Sequence, residues 1–344
     1  MGVFVFLPLV LPLTAWPVAR LAEQHLHPRT ATRLLTAMAA VLALCSTVCL
    51  GLVMVVGTAQ LPGNPLPDGW SDPEVRAAVP FDEVVGKAAI PALCAVVVAC
   101  ARTLWRHARV RSRAHRALAG LPDTEVAVLP DGAPYAYALP GGGRRGVDAP
   151  RGGARRGGRT GDSEPYGRAG RRGRGRRGGR VVVTTALLDR LRPAERRALF
   201  AHERAHLDAR HDRFLLTVQL AARANPFLRP LRTAVAYTAE RWADEEAART
   251  IGSRRTVARA IGTAALVSRG TPAPTLAGLA APGPVPRRVA ALLGPPPAVR
   301  DWPPVFTSVG LAAWGAAAGT AVSAMSSANS AVTMVLILHA ATPL

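Results

Sequence analysis

The sequence predicts an α+β membrane protein. A helical transmembrane bundle of about four spans is joined to a mostly α-helical domain that carries a small antiparallel sheet. Three observations predict this. Long apolar runs free of charge are separated by short charged loops. A stretch of nearly two hundred residues between them alternates helical and strand-like patterns. And a formal charge of +21 coexists with a positive mean hydropathy, a pairing that points to apolar segments in lipid beside basic segments facing phosphate.

"LLTAMAAVLALCSTVCLGLVMVV", Leu34 to Val56, carries no charge and is long enough to cross roughly 30 Å of hydrocarbon as a helix. A second span is expected near 84–104, with Lys87 at one end where it can snorkel. A third is expected near 3–19. There Pro8, Pro12 and Pro17 call for a kinked helix supported by its neighbours. That first segment does not fit a signal peptide, because no basic residue precedes it and Arg20 follows it. Residue six is Phe6, so it does not fit myristoylation either. A fourth span is expected at 303–325, rich in the Ala and Gly that suit close helix contact, with 326–344 as a short tail.

Loop charge orients the bundle. The loop after the first span carries Arg20, Arg29 and Arg33 against Glu23. The next is acidic, with Asp68, Asp72, Glu74, Asp82 and Glu83, and "RTLWRHARVRSRAHR" after the third is strongly basic. An integral protein of the plasma membrane is therefore expected, with residues 105–300 cytoplasmic and the N-terminus outside. Cys45, Cys49, Cys94 and Cys100 all lie in apolar runs without a CxxC pair, which argues against both a disulfide scaffold and a thiolate zinc site.

Within 105–300, "EVAVLP", "PYAYALP" and "RVVVTT" are strand candidates, the first two separated by a Pro-Asp-Gly turn. In the second, Tyr135, Tyr137 and Leu139 face one way and Ala136 and Ala138 the other. Helices follow: one beginning at Pro193 and running through "AERRALFAHERAHLDAR", one up to the Asn225-Pro226 break, one ending near Gly252, and one over "TVARAIGTAALVSR". Residues 141–180 interrupt the domain with a Gly/Arg-rich tract of thirteen arginines against three acidic residues. With almost no apolar side chains, the tract is expected to be disordered. Its arginines could meet RNA or anionic lipid phosphate. A loop expansion without a dedicated partner is the plainer expectation, and without interleaved aromatics nucleic acid is not an expected partner.

The candidate chemistry lies in "AHERAH". His202 and His206 are four apart, so on a helix both imidazoles reach one metal ion, and Glu203 sits beside the first, placed to act as a base on water at that metal. Such a pattern also arises by chance. A later helix adds "ERWAD", with Glu240 and Asp244 on one face. Glu240 can complete the ligand set, and Asp244 can accept a hydrogen bond from a ligand histidine. His211 competes for the third position but is five residues past His206, rotated off the ligand face, and is expected at the surface or behind a ligand. His25, His27, His107, His115 and His339 are expected at interfaces or in solvent.

The ordered motifs "RVVVTTALLDRLRPAERRALFAHERAHLDARHDRF", "NPFLRPL" and "AERWADEEAAR" resemble the BlaR/MecR-type integral membrane zinc metallopeptidases. They are also similar to the related CAAX prenyl proteases and heat-shock membrane proteases. "YAYALPG" and "VPRRVAALLGPPP" extend the likeness over Pro134 to Pro297, the Gly/Arg tract set aside. The resemblance implies a zincin-like protease domain with Zn2+ held by His202, His206 and Glu240, Glu203 as general base, and Tyr135, Ala136, Tyr137, Ala138 and Leu139 as the strand that pairs with extended substrate. It implies a protein or peptide substrate, a cytoplasmic repressor or a membrane protein, with membrane lipid as surroundings. The sequence departs from the pattern in its Gly/Arg insertion and in having no penicillin-sensor domain after the last span, so an antibiotic-sensing role is not expected. Rival expectations are a catalytically silent membrane scaffold, or a binder of RNA or anionic lipid through the Gly/Arg tract.

Overall fold

The computed structural model describes residues 8–63, 66–71, 73, 75, 82–122, 124–141, 179–268, 285–297, 302 and 304–342. The Gly/Arg tract from 142 to 178 lies outside them, as do residues 3–7 of the expected first span. From its described part, a 3-10 turn at Leu11–Thr14, which holds Pro12, leads into α1 (Ala15–His25). Two long helices follow, α2 (Pro28–Ala59) and α3 (Asp82–Ala117). A mixed sheet comes next, with β1 (Val126–Leu129), β2 (Ala136–Leu139) and β3 (Arg180–Thr184). Then come α4 (Thr185–Arg190), α5 (Pro193–Ala209), α6 (His211–Ala224), α7 (Arg229–Ile251), α8 (Arg254–Val267), α9 (Val285–Leu293) and α10 (Ser308–Ala340).

Among the described residues three helices are long and apolar enough to cross a membrane: α2, Val84–Ala117 within α3, and α10. The expected C-terminal span is longer than 303–325, and the expected tail is helix as far as Ala340. No proline interrupts it, and Ser327 donates within the helix to Ser323 O at 2.9 Å and meets Cys49 of α2 at 3.6 Å. α2 and α3 cross at Gly57 and Gly86, where a Cβ on Gly86 would lie 2.7 Å from Gly57 Cα. Close approach of two backbones through small residues is how helices pack in lipid.

The sheet differs from the expected antiparallel one. Its order is β1-β3-β2, with β1 parallel and β2 antiparallel to β3. The Pro-Asp-Gly segment therefore does not make a hairpin of the first two strands. β3, "RVVVT", is the most apolar and takes the centre, with Val181, Val182 and Val183 fully buried. β2 is left as an edge. Behind the sheet and α5, α7 is wedged among α1, α2, α5, α6 and α8 and is buried on nearly every side from Ala234 to Ala248.

Candidate metal centre

α5 begins at Pro193, whose missing N–H costs nothing at a helix start, and Glu195 Oε2 accepts the Arg192 N–H at 3.0 Å. The helix then presents His202, Glu203 and His206, and α7 brings Glu240 and Asp244 against them. The residues singled out by spacing thus converge. His202 Nε2 and His206 Nε2 are 3.1 Å apart, and each is 3.5 Å from a Glu240 oxygen. One donor atom from each of the three lies within 4.8 Å of the others.

This donor set fits a metal. Zinc–nitrogen bonds of about 2.0–2.1 Å in tetrahedral geometry put neighbouring donors about 3.3 Å apart. Two imidazole nitrogens aimed at each other at 3.1 Å also require a proton or a cation between them. His202 Nδ1 lies 3.1 Å from Asp244 Oδ1, short of a well-aligned hydrogen bond.

The residue that spacing did not reveal is Arg288, on α9. It is buried and forks onto Asp244, Nε to Oδ2 at 2.9 Å and Nη2 to Oδ1 at 2.6 Å, while Nη1 lies 2.8 Å from Glu240 Oε2. Its only sequence signal is an arginine inside "VPRRVAALL", on a face that otherwise packs inward. One guanidinium thus offsets two carboxylates taken out of water. Burial pushes Glu240 and Asp244 up, but the Arg288 charge and the histidines overcome it and hold both below the usual carboxylate range. Glu203 has no such partner in contact, and burial raises it to about 7. Burial opposes the charged form of His202, yet Asp244 and Glu240 beside it raise it to about 10, whereas burial lowers His206 to about 4.

His211 is not at the surface. It is almost wholly buried, and its Nδ1 lies 2.8 Å from His206 Nδ1. It stands behind a ligand, the other of the two places expected for it, and Arg210 explains how it gets there. It takes a left-handed conformation, φ 54°, ending α5 and starting α6, so the rotation of a continuous helix does not apply past it. His211 then stands behind the ligand His206, wedged against Trp242.

β2 borders the same cleft, of about 870 Å³, together with α5, α6, α8 and α9. Tyr135 and Thr184 face each other across the β2–β3 pair, with Thr184 N–H donating to Tyr135 O at 3.1 Å. Alternation along an antiparallel pair then turns the backbone groups of Ala136 and Ala138 away from β3 and toward the cleft. The Ala138 N–H meets the Glu203 carboxylate. Tyr137 and Leu139 pack with Ala114, Leu118 and Val182, and Tyr135 Oη donates to Asp131 at 2.8 Å.

Fold and site together define a helical membrane protein with a metallopeptidase-type His-His-Glu centre beside an open strand edge. The sequence model of Peptidase family M48 matches residues 169–224, which run through β3, α4, α5 and α6 and hold His202, Glu203 and His206. M48 metallopeptidases are generally zinc-dependent. Glu240, Asp244 and Arg288 fall outside the matched segment and rest on the geometry above. No curated protein and no solved structure matches the chain significantly.

Proposed function

We propose that this chain is an integral membrane zinc metalloendopeptidase, of BlaR/MecR type within the membrane metallopeptidases, that hydrolyses peptide bonds of a cytoplasmic or membrane protein. The observation that carries the reading is the convergence of His202 Nε2, His206 Nε2 and Glu240 at tetrahedral-edge distances, with Glu203 in the same cleft. His202, His206 and Glu240 would hold the ion. A zinc ion supplies a Lewis acid that polarises a carbonyl and acidifies water.

The chain's own residues do the rest. An extended substrate adds to the free edge of β2 through the Ala136 backbone and the Ala138 carbonyl, which sets the scissile bond along the cleft. Glu203 takes a proton from the attacking water and returns it to the leaving amine nitrogen. The N–H of Ala138 orients that carboxylate. Arg288 keeps Glu240 ionised as a ligand and fixes Asp244 behind His202. His211 behind His206 holds that ring's orientation. By loop charge, the centre works on the cytoplasmic face of the plasma membrane.

The test is Glu203→Gln in the full-length protein. Proteolysis should fall by roughly a hundred- to ten-thousandfold, the range that a general base contributes, with bound metal unchanged. Comparing cells that carry the two forms for newly created cytoplasmic N-termini would identify the substrate. Undiminished cleavage by Glu203→Gln would sink the assignment.

A further inference from the structure

The turn between α6 and α7 sits lower than a turn of a water-soluble domain should. Asn225 Nδ2 donates to Ser46 Oγ of α2 at 2.9 Å, and Ser46 lies thirteen residues past Arg33, the last charge on that helix. On the other side, Cys100 Sγ of α3 meets Leu220 O at 3.8 Å, two residues inside Arg102, where the uncharged run of α3 begins. α6 runs down α3 from the Arg111–Asp212 pair to Leu220, and five residues later comes Asn225. At 1.5 Å per residue, Asn225 therefore lies about 10 Å below the level of Arg102. Counted from the Gly57–Gly86 crossing, Ser46 stands eleven residues up α2, level with about Val97 of α3 and so about 7–8 Å below Arg102, which agrees with that depth.

The side chains at that depth divide in a consistent way. Phe227 is 55% exposed, at the level of Leu44, Val97 and Val98, which are likewise exposed apolar residues of the spans. The exposed neighbours Arg223, Arg229 and Arg232 ring the turn, and none of the three pairs with a carboxylate among the described residues. The backbone of the tip is already satisfied: Asn225 Oδ1 accepts the Phe227 N–H at 3.0 Å, and Asn225 N–H reaches Ala221 O. Backbone at membrane depth must be satisfied within the protein.

We propose that the α6–α7 turn, Arg223–Arg232, is a re-entrant membrane anchor. Phe227 sits in the acyl layer, and Arg223, Arg229 and Arg232 bind the phosphates of anionic phospholipids in the leaflet next to the cleft. A depth of about 5–10 Å is that of interfacial segments, and arginine stems let the guanidinium groups reach up to the headgroups. The arrangement matters for the site because both arms of the turn carry site residues. α6 starts with His211 behind His206, and α7 carries Glu240. Anchoring the turn fixes the height of the centre above the leaflet. The anchor stands on the three spans and these contacts, whatever reaction the centre performs.

The experiment uses the full chain in nanodiscs of phosphatidylcholine and phosphatidylglycerol. A nitroxide is placed at Phe227→Cys or, as a control at the far end of α7, at Arg249→Cys, in a background without native cysteines. Collision with oxygen against an aqueous nickel chelate reads depth. The label at 227 should lie about 5–10 Å below the phosphates and the label at 249 in water. Equal exposure of both to the chelate overturns the anchor. A photo-crosslinking phenylalanine analogue at 227, with the native cysteines kept, should be recovered on lipid acyl chains; recovery on protein alone likewise overturns it. For the headgroups, the preference of spin-labelled phosphatidylglycerol over phosphatidylcholine is compared in wild type, R223Q/R229Q/R232Q and R223K/R229K/R232K, each with bound metal confirmed. The Gln form should lose at least half the preference and the Lys form keep it. An unchanged preference in the Gln form overturns the anionic-lipid assignment.

Discussion

The α2–α3 crossing and the α5–α7 crossing are both tight helix contacts, and opposite chemistry holds them. The first meets at Gly57 and Gly86, with backbone against backbone and no charge between. The second meets at His202, His206, Glu240 and Asp244, with Arg288 closing the charge. The first cannot accept an added atom, and the second cannot lose a charge. In lipid, helices gain by close approach of small residues; away from it, this chain buries His202, His206, Glu240 and Asp244 between two helices and sets one guanidinium against the two carboxylates.

The largest break in the comparison should come from Arg288→Ala. It leaves Glu240 and Asp244 buried without their cation, a change that typically costs about 3–5 kcal/mol. Thermal unfolding in detergent should shift sharply downward. Arg288→Lys, which keeps the charge but loses the fork onto Asp244, should lie between the two.

The α2–α3 side is next. A methyl at Gly86 would lie 2.7 Å from Gly57 Cα, so Gly86→Ala should force the helices apart and cost about 1–3 kcal/mol, as overpacking does. Gly51, also on α2 but with open space around it, is the control, and Gly51→Ala should be neutral or slightly stabilising. Equal losses at both positions would contradict the close approach.

Acid sharpens the difference further, because only one crossing titrates. Glu203 works as a carboxylate, and burial raises it to about 7. Activity should therefore fall on the acid side, approaching tenfold per unit, on a limb that lies near 7 without an ion and that a bound cation moves lower. The sign for stability is opposite. A carboxyl raised in the folded state binds its proton more readily than in the unfolded chain, so its own contribution grows between pH 7 and its ordinary value near 4.5. His206, which burial lowers to about 4, works the other way: the unfolded chain takes up its proton first, so stability declines below about pH 6.5, and activity should be lost ahead of the fold, which a pH–rate profile beside a thermal scan would show.

The smallest effect belongs to the Gly/Arg tract. Leu139 of β2 faces Arg180 of β3, so the chain ends on either side of residues 142–178 are neighbours in the sheet. Shortening that stretch to about fifteen residues should change thermal stability by less than about 1 kcal/mol, since each doubling of loop length costs only about 0.6 kcal/mol of closure entropy. Metal content should be unchanged.

The same contrast governs what was legible in the sequence. Spacing along continuous helices was readable, which is why His202, Glu203, His206, Glu240 and Asp244 stood out, and why uncharged runs marked α2 and α3. Features set by a break or by partner choice were not. Period-two patterning locates strands but carries no direction, so β1 pairing parallel to β3 stayed hidden. The left-handed Arg210 turned His211 inward, against the rotation of a continuous helix. Arg288 lies more than forty residues beyond Asp244 and is joined to it only by the fold. The last span ran on to Ala340 because the serines that look like breaks in apolar character, Ser323, Ser326, Ser327 and Ser330, are buried against its neighbours, and Ser327 bonds back to Ser323 O.

The central claim is that two helices together hold one metal ion, and Glu240 is its most exposed point, since it lies outside the matched segment 169–224. Metal content of the purified protein by mass spectrometry, beside Glu240→Ala and His206→Ala, tests it most directly. The account predicts about one zinc per wild-type chain and, because each protein ligand of a tetrahedral site is needed, a large loss in both variants. A wild type without zinc, or a Glu240→Ala protein that holds it as tightly as wild type, would contradict the account.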